Sequence, residues 1–180
     1  MNKLILLLAF ISLNTQAHTL AICKGEYALC AASSATLTGK TMTVNGKVFK
    51  EAVAVCPVLT GAAVADLDLM NGSCKSPKGK VWSLFGVPPV ASFPQAPTWD
   101  TVTAIGRTFV IGNTPTTQIS NMWSFPCEIQ AQKVNGAKLA SCYGPVMESP
   151  FNGDHAKVGQ TAITQAPEGS TYSVSGNIEK

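Results

Sequence analysis

The sequence predicts a mainly β fold, a small antiparallel sheet or sandwich stapled by disulfides with one or two short helices, and α+β as the neighbouring class. Three observations point there. Asn-Gly dipeptides stand at 45–46, 71–72, 135–136 and 152–153, and Asn-Gly supplies the paired positive φ angles of a tight hairpin turn. Short runs of Val, Ile, Thr and aromatic residues recur between Gly, Pro, Ser and Asn, as strands do. Six cysteines follow an apolar leader, which reads as a disulfide framework bound for an oxidising compartment.

The leader comes first along the chain. Lys3 supplies a positive start, Leu4 to Leu13 an apolar run, and Thr15-Gln16-Ala17 a small-x-small cleavage site. Residues 1–17 are expected to be a cleaved signal peptide, and 18–180 one exported domain, periplasmic or secreted. The apolar run falls short of the roughly 20 residues a membrane span needs, and no later segment reaches that length without Gly, Pro or charge. No membrane span is expected. A lesser reading takes Leu20-Ala21-Ile22-Cys23 as a lipoprotein site that acylates Cys23. Such a site wants a small residue before the cysteine, and Ile22 stands there after a polar stretch.

Hydrophobic residues make up 46% of the chain and charged residues 13%, a balance that favours folding over disorder. The formal net charge is +3, with one unit in the leader at Lys3. Overall charge that small does not argue for a polyanion. Arg107 is the sole arginine, and arginine most often reads guanine and phosphate bidentately. Nucleic acid is therefore not an expected partner.

Further elements follow in order. Glu26 to Ser33 reads as two helical turns. Thr41-Met42-Thr43-Val44, Asn45-Gly46 and Lys47-Val48-Phe49-Lys50 read as a hairpin. Gly61 to Leu69 is ambiguous, and its alternation suits a strand with Asp66 and Asp68 on a wet face. Lys80 to Phe85, Val102 to Ile105, Thr108 to Ile111, Thr161 to Thr164 and Tyr172 to Val174 are strand candidates. Residues 87–98 hold four prolines, which a central strand or helix excludes, and read as an extended crossing segment. Glu128 to Val134, Asn135-Gly136 and Ala137 to Cys142 read as a second hairpin. The polar tail Gln165 to Lys180 is expected to fray.

Cys23, Cys30, Cys56, Cys74, Cys127 and Cys142 contain no C-x-x-C spacing, which removes a thioredoxin-type pair and a zinc ribbon. Cys127 and Cys142 flank the second hairpin and are expected to pair, although simple counting offsets them by about two positions. The first four cysteines then pair among themselves.

Chemistry-bearing residues are few, and no cofactor is expected. Cleavage after Ala17 would make His18 the first residue, so that its amine and imidazole, with His155, resemble the copper brace of lytic polysaccharide monooxygenases. That resemblance covers two residues, and Thr19 follows where the bacterial enzymes have Gly. His155 next to Asp154, or carboxylates such as Asp100, Glu128 and Glu148, could serve a hydrolase, but no Gly-x-Ser-x-Gly elbow accompanies them. Asp66 to Gly72 departs from a calcium loop at Met70. Trp99 and Asp100, emerging from the proline segment, are the candidate exposed ligand contact, whereas Trp82 and Trp123 are expected in the core.

The runs Tyr27-Ala28-Leu29-Cys30-Ala31-Ala32-Ser33-Ser34, Cys56-Pro57-Val58-Leu59 and Gly79-Lys80-Val81-Trp82-Ser83-Leu84 resemble a group of small exported proteins of Gram-negative bacteria with no assigned activity. The resemblance implies an envelope or extracellular destination and adds no functional residue. The reading reached is an exported binding or host- and surface-interaction module for a protein or glycan partner. An extracellular hydrolase and a copper protein using His18 and His155 are the alternatives.

Overall fold

A computed structural model describes residues 19–31, 33–87, 107–149, 154–164, 166 and 168–178. The first hairpin forms where Asn-Gly demands it. β1 (Leu20–Ala28) and β2 (Ala35–Val44) pair in turn with β3 (Lys47–Asp66), and Val44 faces Lys47 across Asn45 and Gly46, at φ 48 and 77. β3 is the spine, since its first half also carries β9 (Leu139–Pro145), and its second half β5 (Phe85–Val87).

β4 (Lys80–Ser83) runs parallel to the end of β1 and antiparallel to β8 (Pro126–Ile129), which pairs with β9. The ladder therefore makes a circuit, β1–β4–β8–β9–β3 and back to β1. A five-stranded barrel has a narrow interior that side chains must fill. Here small residues line it: Ala28, Ala52, Ala54, Cys56, Val81, Ala140 and Cys142. Gly144 shows how tight the fit is. A β-carbon there would collide with the carbonyl oxygen of Asn121 and stand 2.7 Å from Cγ of Met122.

A second cluster at one end of the circuit gathers Cys23, Tyr27, Leu29, Val64, Met70, Trp82, Phe85 and Trp123. Trp82 and Trp123 are thus core residues, as their sequence context implies. Phe85 stacks on Trp123 with ring centroids 5.7 Å apart, and the Trp123 indole N–H donates to Val64 O at 3.0 Å.

β6 (Arg107–Val110), β7 (Ile119–Ser120), β12 (Thr161–Thr164) and β13 (Ser173–Ile178) form a separate small sheet in the order β6–β12–β13–β7. β10 (Glu148–Ser149) and β11 (Asp154–His155) pair as a short ribbon. Ser34 bridges to Ser173, Ser120 to Val146, and the Tyr172 side chain joins the barrel cluster.

The mainly β class holds, with differences of detail. The sheets are mixed, because β1–β4 and β7–β13 are parallel. The helix expected over Glu26 to Ser33 is absent: Tyr27 and Ala28 pair with Leu59 and Val58, and Leu29 N–H donates to Pro57 O. The helical content among the described residues is one 3-10 turn, Pro115–Thr117. Lys80 to Phe85 breaks at Leu84 into β4 and β5, and the tail expected to fray supplies β13. Thr161 to Thr164 forms as expected, and the strand expected at Thr108 to Ile111 is β6, one residue earlier. Val102 to Ile105 and residues 88–98 of the proline segment lie outside the described residues.

The second hairpin resolves the cysteine offset. Val134 bridges Ala137 around Asn135-Gly136, yet Cys127 faces Cys142, so the two extra residues are absorbed between Ile129 and Val134. Cys127–Cys142 pair, and the first four cysteines pair as Cys23–Cys74 and Cys30–Cys56.

Two measurements check this packing. Gly144→Ala should lower stability by about 1–3 kcal/mol through overpacking, read from the urea midpoint. Replacing Cys127 and Cys142 by alanine opens a link of sequence separation 15, and chain entropy puts the cost near 3 kcal/mol. An unchanged urea curve for that double variant would show that the pairing contributes nothing to the fold.

Candidate functional site

The most distinctive exposed surface belongs to the β2–β3 hairpin. Residues 35–50 contain Lys40, Lys47 and Lys50 and no acidic side chain. Cross-strand partners share a face. Leu37 faces Ala52, Thr41 faces Lys50, and Thr43 faces Val48, which places Leu37, Thr41, Thr43, Val48 and Lys50 on one side. Toward the turn that side is open, with Val48 68% and Leu37 41% exposed, while Ala52 on the same side is buried in the barrel interior. The opposite side is covered: Phe49 and Val44 are buried and Met42 is half-buried.

β2 carries a two-residue insertion between Leu37 and Thr41, where Gly39 sits at φ 78 and Lys40 N–H donates to Thr38 Oγ1 at 3.1 Å. The insertion pushes Lys40 out of the ladder. Glu51, the first acid after the hairpin, has its Oε1 engaged by the Thr38 hydroxyl at 2.7 Å.

A small pocket lies against β1, lined by Cys23, Lys24, Gly25, Glu26, Tyr27, Cys74 and Trp82 among others. Its volume is about 20 Å³, room for a water or two and not for a sugar or a peptide side chain. The Glu26 carboxylate there is held by Lys138 Nζ at 2.8 and 2.7 Å. Burial pushes the Tyr27 hydroxyl pKa above 10.0. The Trp82 indole N–H is buried with no protein acceptor among the described residues.

The acids named from the sequence have other duties. Asp66 is fully buried rather than on a wet face: its N–H donates to Ser124 Oγ, and its Oδ1 accepts Asp68 N–H, both at 3.0 Å. Both faces are covered there because the strand end packs into the second cluster. Asp68 Oδ2 accepts Thr19 N–H at 3.0 Å, and Leu67 N–H donates to Thr19 O. This pair fastens the start of β1.

Acylation of Cys23 does not fit. Its sulfur is bonded to Cys74, and Thr19 to Ile22, which processing before Cys23 would remove, are held by β3 and Asp68. Glu128 lies 3.6 Å from Lys80 in an exposed pair, and Glu148 is buried, its backbone paired with that of His155. His18, Trp99 and Asp100 lie outside the described residues. The cysteine cluster of Cys30, Cys56 and Cys142, with sulfurs within 4.8 Å of one another, is two neighbouring disulfides and not a metal centre.

Among the described residues no helix is long and apolar enough to cross a membrane. No protein-family model, no curated protein and no solved structure matches the chain. The hairpin face was missed in the sequence reading because charge was summed over the whole chain. The acid-free run of residues 35–50 was the available signal.

Tyr27 sets an alkaline limit. An unfolded tyrosine ionises near 10.0 while the buried one resists, so the unfolded state loses its proton first and stability falls as pH rises past that value. Tyr27→Phe should flatten this part of the decline, measured as the urea midpoint from pH 8 to 11.

Proposed function

We propose that the protein is an exported binding module, without a catalytic step of its own, that engages an acidic extended segment of a protein partner through the β2–β3 hairpin. The carrying observation is the open face of Leu37, Thr41, Thr43, Val48 and Lys50 on a hairpin with three lysines and no acid. Apolar contact and hydroxyl donors give such a face adhesion, and positive charge selects an acidic partner and speeds encounter. The leader and the three disulfides support an extracytoplasmic setting.

The test uses a peptide of alternating Glu and Val, followed by amide chemical shifts of the exported protein at low and high salt. Shifts should map to residues 37–50 and weaken with salt. Changing Lys40, Lys47 and Lys50 to Glu should slow association by roughly tenfold or more. Shifts centred elsewhere, or binding indifferent to the triple change, would sink the assignment.

A further inference from the structure

The three disulfides differ in what can reach them. Cys30, Cys56, Cys127 and Cys142 are sealed in the barrel interior, each 3% exposed or less. Cys23–Cys74 is asymmetric: Cys23 is buried at 6%, whereas Cys74 is exposed. Both line the pocket beside β1, with Lys24 and Glu26 as its charged groups. Glu26 is neutralised by Lys138. Lys24 follows Cys23 directly.

Among the described residues, the hydrogen bonds seen from residues 73–78 are short-range. Ser73 N–H donates to Met70 O, Lys75 N–H to Ser73 Oγ, and Lys80 N–H to Pro77 O, all local bonds. The disulfide spans a sequence separation of 51 and fixes this stretch against the edge of β1.

We infer that Cys23–Cys74 is a thiol–disulfide exchange site that accepts an incoming thiolate at Cys74. The thiolate attacks Cys74 Sγ in line with the S–S bond. That bond breaks as the mixed disulfide on Cys74 forms, and the electron pair leaves on Cys23 Sγ, which then takes a proton from water. The number of disulfide bonds is unchanged. Access directs attack to Cys74, the exposed residue of the pair, and Lys24, which lines the same pocket, is the charge available to favour the departing thiolate. The two sealed disulfides and the Thr19–Asp68 bond keep the fold intact while the stretch around Cys74 is released from its covalent tie to β1.

Reduced glutathione is the probe. The folded, oxidised protein is incubated at pH 8, quenched in acid, alkylated and peptide-mapped. Glutathione should appear on Cys74 and the alkyl group on Cys23, with Cys30–Cys56 and Cys127–Cys142 intact. The rate should be unchanged by sub-denaturing urea. Lys24→Gln should slow the exchange several-fold and leave the urea midpoint in place. Glutathione on Cys23, all three disulfides opening together at a urea-dependent rate, or no adduct at all would overturn the inference. The wild-type map needs no variant to fold, so each result decides it.

Discussion

Closure of the strand circuit around β3 is the constraint from which the rest of the structure follows. A ring of five strands leaves an interior too narrow for leucine or phenylalanine at most positions, and the chain answers with Ala52, Ala54, Ala140 and Gly144. Alanine is a poor strand former. Stability must therefore come from packing and covalent links rather than propensity. Cys30–Cys56 and Cys127–Cys142 supply those links between neighbouring parts of the ring, one from the end of β1 to β3 and the other from β8 to β9. Trp82 of the ring gathers with Phe85 and Trp123 at the end of the circuit in the second cluster, while Met122 and Tyr172 pack into the barrel cluster from outside the ring strands.

Features set by local chemistry could be read from the sequence. Asn45-Gly46 and Asn135-Gly136 both adopt paired positive φ and both close hairpins, because that dipeptide meets the turn requirement whatever surrounds it. Asn71-Gly72 adopts the same angles without a hairpin, within a turn in which Gly72 N–H donates to Leu67 O. The turn chemistry was local there, and the pairing was not. Glu26 to Ser33 failed for the same reason in reverse. Its composition is helical, but its backbone bonds go to residues 57–60 and to β4. Asp66 was misplaced because alternation assumes one wet face, whereas Asp66 is fully buried, with its N–H donating to Ser124 Oγ, distant in sequence.

The candidate sites were legible to a similar degree. The lysines of residues 35–50 stand plainly in the sequence, and alternation alone puts Lys47 and Lys50 on opposite faces of β3, but the place of Lys40 depends on the two-residue insertion between Leu37 and Thr41. Six cysteines after an apolar N-terminal run announce staples without saying which cysteine lies at the surface. The difference between Cys74 and Cys23 arises because Cys23 lies on β1 against the second cluster, while Cys74 lies in the β3–β4 connection.

Barrel closure also explains why the hairpin carries the charge. A closed circuit removes sheet edges, but β2 stays outside the ring and leaves one exposed. Exposed edges invite pairing with other strands, and lysine together with a bulge is a common guard against it. Lys40 sits in such an insertion, with Lys47 and Lys50 on the partner strand. Under the proposed function, the guard and the binding face would be one device. Two copies approaching hairpin to hairpin would set three lysines against three with no acid between residues 35 and 50 to offset them. An acidic segment meets the reverse field. Under the proposed function, the same charges that keep this edge from pairing with itself would select an acidic partner.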